Sequence, residues 1–179
     1  MFQKLVNHKN WASLNRTMFL FDAFPTLTTK RLRLIQLLES HIFPMIEIAS
    51  YKLGSATSEQ ALETIQKASA QFQEKIAITW GIEFNGEVIG SIGYYRGFEN
   101  QCGEIGYVMR SNFKRRGYMI EATEAVIEFG FNELELKRII AVTAIENFPS
   151  VKMLVRLGFI PTEEKIEVYS VFELWPTST

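Results

Sequence analysis

The dipeptide Asn85-Gly86 constrains this chain more than any other feature. Ahead of it Ile76, Ile78, Trp80, Ile82 and Phe84 alternate with Ala77, Thr79, Gly81 and Glu83, and behind it come Val88, Ile89 and Ile92. Asn and Gly accept the positive φ that a two-residue hairpin turn demands, and the twist of that turn matches the twist of paired strands. The segment therefore predicts an antiparallel hairpin. Its return strand, Glu87 to Arg96, is apolar on both faces and contains Gly90 and Gly93, which places it centrally in a sheet.

The rest of the chain supplies partners for this hairpin. From Thr29, Leu32 and Leu34 alternate with Arg31 and Arg33 as a strand with one buried face. A helix is expected near Ser40 to Ala49. Thr57 and Gln60 form a capping-box match, and Leu62, Ile65, Ser69 and Phe72 continue one helical stripe toward Glu74. A turn around Gly97 to Gly103 leads into a strand over Glu104 to Arg110. Ala122, Ala125, Val126 and Phe129 then mark a helix reaching about Glu133. Ile139 to Ile145 is a β-branched run suited to a strand buried on both faces and parallel to its predecessor. A short helix opens at Asn147-Phe148-Pro149-Ser150 and stops at Gly158, and strands near Phe159 to Lys165 and Val168 to Leu174 close the chain. No internal repeat or linker interrupts this order. The reading is an α/β protein (α+β, mixed sheet) of about seven strands with flanking helices.

At 179 residues the chain is sized for one domain, and 47% hydrophobic residues can fill its core. We place that domain at residues 24–179. Residues 1–23 are either an arm or a short amphipathic helix, since Phe2, Leu5 and Val6 share helical spacing; no secretory signal is read there. Nineteen Lys and Arg against 20 Asp and Glu give a net charge of −1, which argues against a surface built for nucleic acid or membrane lipid. No apolar run is long enough to span a bilayer. The single cysteine, Cys102, excludes an internal disulfide and suits the reducing cytoplasm, and one cysteine with two histidines argues against a metal site. A homodimer is compatible with the sequence.

The chemistry concentrates where a strand runs through Lys114-Arg115-Arg116-Gly117 into a helix that returns to a parallel strand. First-turn N–H groups lack intrahelical partners and carry the positive end of the helix dipole, so they can hold a pyrophosphate. Gly117 lets the backbone approach closely and the three basic side chains add positive charge. The same string is also compatible with a solvated basic turn.

Around this loop the sequence resembles the GNAT superfamily of acyl-CoA-dependent N-acetyltransferases, within it the group containing the ribosomal-protein N-terminal acetyltransferases. The resemblance runs from about Phe24 to Leu174. It is carried by Leu27 to Leu34, Trp80-Gly81-Ile82, Val88 to Gly93, Glu104-Ile105-Gly106-Tyr107, Gly117 to Ala122, Asn147 to Ser150 and Leu157-Gly158-Phe159, in the family's order. It implies that the parallel strand pair splays apart and that the pantetheine of acetyl-CoA lies in the gap, paired with main chain around Tyr107, Val108 and Met109. The pyrophosphate would rest on the loop Lys114, Arg115, Arg116, Gly117, Tyr118 and Met119, which matches the family pattern at Gly117 but carries Lys114 and Met119 at its other two fixed positions. Asn147 matches an asparagine that holds the pantetheine arm, against a plain reading as helix cap; Ser150 matches a serine near the sulfur, against a first-turn serine.

Transfer needs a neutral amine. At pH 7 roughly a tenth of an α-amine of pKa ~8 is neutral, but under a thousandth of a lysine of pKa ~10.4. By resemblance Glu104 is the base that takes the proton; its other reading is a salt-bridge partner. The oxyanion would be met by N–H groups near Val108. Many family members supply the thiolate's proton donor from a tyrosine at the position held here by Leu154, leaving Ser150, water or Tyr118 as substitutes. The expected function is acetyl transfer from acetyl-CoA to the N-terminal α-amine of a protein or peptide, with Glu163, Glu164 and Glu167 as a local acidic surface or a solvated hairpin. The alternatives are a small-amine acetyltransferase acting on a polyamine or amino sugar, and a non-catalytic acyl-CoA-binding module.

Overall fold

The computed structural model describes residue 21 and residues 23–176, so nearly all of the 1–23 segment lies outside it. The strands are β1 (Leu27–Thr28), β2 (Arg33–Gln36), β3 (Ile78–Phe84), β4 (Glu87–Tyr94), β5 (Cys102–Met109), β6 (Arg138–Ala144), β7 (Ile160–Ile166) and β8 (Tyr169–Leu174). The helices are α1 (Ile42–Leu53), α2 (Ser58–Gln73), α3 (Tyr118–Asn132) and α4 (Phe148–Arg156). The strands form one sheet in the order β1-β2-β3-β4-β5-β6-β8-β7. The strand beyond the expected seven is the two-residue β1, too short to show a period in sequence.

The hairpin forms as read. Asn85 and Gly86 take φ of 51° and 80°, the two positive values that turn requires, and join β3 to β4. β4 is buried along all but its first residue. Thr57 caps α2 by accepting from the Gln60 N–H at 3.3 Å, and the Gln60 side chain accepts from the Thr57 N–H at 2.9 Å. α1 departs from expectation: a 3-10 turn occupies Glu39–His41, the α-helix starts at Ile42, and it continues to Leu53 before Gly54. Pro44 falls in its first turn, where the missing N–H costs no intrahelical bond.

The sheet separates two cores. On one face α3 packs Ala122, Val126 and Phe129 against Trp80, Ile92, Tyr94 and Ile139. Trp80 is fully buried, donates to the Pro25 carbonyl at 2.7 Å and sits edge-on to Phe129. On the other face α1 and α2 pack Met45, Ile48, Ala61 and Ile65 against Leu37 and Val88, with Val108 at the margin. Because successive strand residues point to opposite faces, Ile105, Tyr107 and Met109 of β5 face the α3 side and Glu104, Gly106 and Val108 the α1 side. No helix among the described residues is long and apolar enough to cross a membrane.

Candidate active site

The sheet changes sense at β5 and opens there. Every neighbouring pair is antiparallel except β5 and β6, which run parallel and pair only at Cys102–Arg138, Gly103–Ile139 and Glu104–Ile140. Past Glu104 and Ile140 the strands part, β5 still held by β4 and β6 by β8.

The register fixes which main-chain groups face the opening. In the β4–β5 ladder Tyr95 N–H donates to the Glu104 carbonyl at 3.2 Å and Arg110 N–H to the Ile89 carbonyl at 2.9 Å. Bonded and non-bonded positions alternate in an antiparallel pair, so Glu104, Gly106, Val108 and Arg110 turn both peptide groups to β4. Tyr107 and Met109 turn theirs into the gap, and Ile105, next to the last paired rung, turns its own toward β6. The N–H of Val108 itself is directed to the ladder opposite Ser91, and the amides beside it that face the opening are those of Tyr107 and Met109.

Two adjoining cavities fill the opening. The inner one, about 440 Å³, lies between Ile105 to Tyr107 and Ala141 to Ala144, with Leu154 and Tyr169 behind. The outer one, about 470 Å³, runs along Val108, Met109, Lys114, Arg115 and Gly117 to Ile120. Tyr51, Tyr107, Asn147 and Ser150 line both and join them.

At the outer end the loop is shaped for an anion. Gly117 has φ 77° and ψ 0°, the left-handed conformation glycine adopts without penalty, and begins α3. The first bond of α3 runs from the Glu121 N–H to the Gly117 carbonyl, which leaves the N–H groups of Tyr118, Met119 and Ile120 free of intrahelical partners beside the cavity. Lys114 and Arg115 line the cavity; Arg116 does not, and its carbonyl accepts from Arg31 Nη1 at 3.1 Å. Arg31 also ties down the helix: its Nε is 2.6 Å from Glu121 Oε2, its backbone N–H donates to Glu121 Oε1 at 2.7 Å, and Thr29 Oγ1 donates to the same oxygen at 2.6 Å. The Arg31 guanidinium lies 4.6 Å from the centre of the Tyr118 ring. Burial alone would push the Glu121 carboxyl up, but the hydrogen bonds from Thr29 and Arg31 and the Arg31 charge hold it below the ordinary carboxylate range. In sequence Arg31 showed only as the polar alternate of a strand.

At the junction of the cavities Ser150, nearly buried on the first turn of α4, places its Oγ 2.6 Å from the Tyr107 hydroxyl. Burial pushes the Tyr107 phenol up and the bond to Ser150 draws it back. Asn147 precedes α4 without capping it: its side-chain amide donates to Thr143 Oγ1 at 3.2 Å, across the inner cavity's wall. Leu154 is fully buried and offers no proton.

Glu104 stands at the fork, on the last paired rung of β5 and β6, and lines neither cavity. It forms a salt bridge with Arg96, whose Nη1 is 3.0 Å from Oε2. Burial raises the Glu104 carboxyl, against the opposing charge and hydrogen bond of Arg96. Beside it Tyr95 lies over Gly106, so closely that a Cβ there would meet the ring at 2.7 Å. Burial pushes the Tyr95 phenol up to about 12, against a hydrogen bond from Ser91.

An opened parallel pair leading to the N-terminus of a crossover helix can seat an extended chain that ends in anionic groups. Residues 31–160 match the family model of the acetyltransferase (GNAT) domain. The chain belongs to the GNAT family and is an N-acetyltransferase by that membership. It is 35% identical over 147 residues to the uncharacterized N-acetyltransferase YoaA of Bacillus subtilis (strain 168), covering 76% of this chain and 83% of that one. Its fold is that of RimL, a ribosomal L7/L12 α-N-protein acetyltransferase solved with coenzyme A, at TM-score 0.74 and 15% identity over 84% of this chain and 98% of that one. It is likewise that of the microcin C7 self-immunity acetyltransferase MccE, solved with acetyl-CoA and AMP, at TM-score 0.70 and 14% identity over 82% and 93% of the two chains.

Proposed function

We propose that the protein transfers acetyl from acetyl-CoA to the α-amine of a peptide or protein N-terminus in the cytoplasm. The observation that carries the reading is the opening between β5 and β6, bordered by the peptide groups of Tyr107 and Met109. Those groups suit the two amides of a pantetheine arm, which would lie between the strands as a partner of β5. The pyrophosphate would then reach the N–H groups of Tyr118, Met119 and Ile120, with Lys114 and Arg115 supplying charge. Acetyl-CoA is here a substrate that is consumed, and Asn147 and Ser150 flank its reactive end.

The acceptor comes from the α1 side of the sheet, where Glu104 projects. Glu104 takes the proton of the attacking neutral amine through water, since its carboxylate stands outside both cavities. The raised carboxyl makes it a stronger base than an exposed glutamate. An α-amine is favoured over lysine because far more of it is neutral near pH 7. A basic peptide would meet Glu163 and Glu164, exposed on β7, and Glu167 in the turn before Tyr169, which lines the inner cavity.

Mass spectrometry of acceptors incubated with enzyme and acetyl-CoA tests the reading. The expected result is acetylation of peptide α-amines, weakened by added salt and by replacing Glu163, Glu164 and Glu167 with Gln. Modification of polyamines or amino sugars alone would replace the peptide assignment with small-amine transfer. Tight acetyl-CoA binding with no modified acceptor would leave a binding module.

A further inference from the structure

With Leu154 buried and inert, the thiolate that leaves during transfer needs another proton donor. Three phenols line the inner cavity, those of Tyr51, Tyr107 and Tyr169, and that of Tyr107 on β5 bonds to Ser150 on α4. Its hydroxyl lies 2.6 Å from Ser150 Oγ, a short bond between two hydroxyls at the junction of both cavities. A serine hydroxyl alone is a poor acid. Hydrogen-bonded to a phenol, it can pass a proton on and receive one in the same step.

We propose that Tyr107, acting through Ser150, protonates the CoA sulfur as it departs, so that Tyr107 serves by side chain as well as by main chain. The inference rests on the acetyl-transfer reading above. The acceptor nitrogen bonds to the thioester carbon, and the carbonyl electron pair moves onto oxygen while Glu104, through water, takes the nitrogen's proton. As that pair returns, the carbon–sulfur bond breaks and its electrons stay on sulfur. Ser150 Oγ–H gives its proton to the sulfur while Tyr107 Oη–H gives its own to Ser150. Glu104 is left protonated and Tyr107 as a phenolate, and both return to rest by exchange with water.

Other groups bear on this pair. Tyr51 of α1 lines both cavities, and its phenol raises that of Tyr107. Lys114 Nζ, from the anion loop, lies 5.7 Å from the centre of the Tyr51 ring. Burial is the main cause of the raised Tyr107 phenol, which keeps it protonated at neutral pH.

The test uses the full chain, a peptide acceptor and the variants Tyr107→Phe, Ser150→Ala and both together. Turnover by the parent enzyme is measured first: absence of acetyl transfer would overturn the proposed function, and this inference with it. Given turnover, each single variant should lower kcat by about 100-fold. The double variant should lose little more, because groups that act as a unit are not additive. Calorimetry should find acetyl-CoA bound equally well by all, which also establishes that each is folded. At pH 9, where free CoA with its thiol pKa of ~8.5 is largely thiolate, Tyr107→Phe should hold CoA about tenfold more weakly than the parent does. A Tyr107→Phe enzyme with kcat within twofold of the parent, or with unchanged CoA affinity at pH 9, would overturn the assignment. Fully additive losses would overturn the relay.

Discussion

Arg31 and Glu121, 90 residues apart in sequence, meet through two hydrogen bonds, with guanidinium Nε 2.6 Å from one carboxylate oxygen and the Arg31 backbone N–H 2.7 Å from the other. The pair joins the segment before β2 to the first turn of α3, and Arg31 Nη1 reaches on to the Arg116 carbonyl. It holds the anion loop in the shape that presents its N–H groups.

Loosening this clamp should therefore weaken acyl-donor binding without touching the acceptor side. Arg31→Ala is expected to weaken acetyl-CoA affinity about tenfold in calorimetry, consistent with ~1.5–3 kcal/mol for a hydrogen bond to a charged group. Lysine should not restore it, since one ammonium cannot serve Glu121 and the Arg116 carbonyl in the fork geometry of arginine. The Glu121 carboxyl is lowered in the fold, so its stabilisation is complete above the unfolded glutamate pKa and lost as pH falls through the folded value. Thermal melts below about pH 4.3 should fall more steeply for the parent than for Glu121→Gln.

Gly117 makes a second, local demand on the same loop. Its φ of 77° is open to glycine, and a Cβ there would stand 3.4 Å from Arg31 Nη2. Gly117→Ala should cost roughly 1–2 kcal/mol in a denaturant melt. Gly117→Pro, which cannot reach that φ, should abolish acetyl-CoA binding in calorimetry.

Glu104 offers a test by pH. Burial raises its carboxyl and Arg96 opposes that rise, so removing Arg96 leaves burial unopposed. A base works only when deprotonated, and the rising limb of kcat against pH should move to higher pH in Arg96→Ala. In Glu104→Gln the limb should vanish and kcat fall by ~100-fold or more, with acetyl-CoA affinity unchanged. Limbs that overlay in all three enzymes would leave Glu104 a structural partner of Arg96.

A packing prediction is independent of function. Tyr94 is fully buried and its hydroxyl donates to the Val126 carbonyl at 2.9 Å, crossing the face of α3 at Gly130. A Cβ at Gly130 would meet that hydroxyl at 2.1 Å. Gly130→Ala should destabilise by about 1–3 kcal/mol through overpacking, and Tyr94→Phe, itself mildly destabilising, should recover part of the loss. Denaturant melts of the two single variants and the double variant measure that coupling.

What was legible in sequence was local. Asn85-Gly86 with its flanking alternation, and Thr57 with Gln60, specify their own geometry within a few residues, and both appear as read. The parting of β5 from β6 came from family resemblance, since nothing in the apolar period of either strand says where pairing stops. Val108 shows the limit of that period. Alternation tells which face a side chain takes, but which edge a peptide group faces depends on register with β4, and that is set across the hairpin. The Tyr107–Ser150 pair joins residues 43 apart, and the Arg31–Glu121 pair residues 90 apart. Arg31 looked like any solvated strand residue, and Tyr107 like any aromatic in a strand.

The fork in the sheet also has a thermodynamic side. β6, β8 and β7 hold to the remaining strands by three rungs at one end, with α3 bridging above. An acyl donor seated as proposed would act as the missing strand between the two halves and bind only the folded chain. Stability would then rise with donor concentration by mass action, by about 2.7 kcal/mol at a hundred times the dissociation constant. Exchange of the Tyr107 and Met109 amide hydrogens would slow in step. The donor would be a structural member that enters and leaves with every turnover, and the protein's resistance to proteolysis would follow its supply.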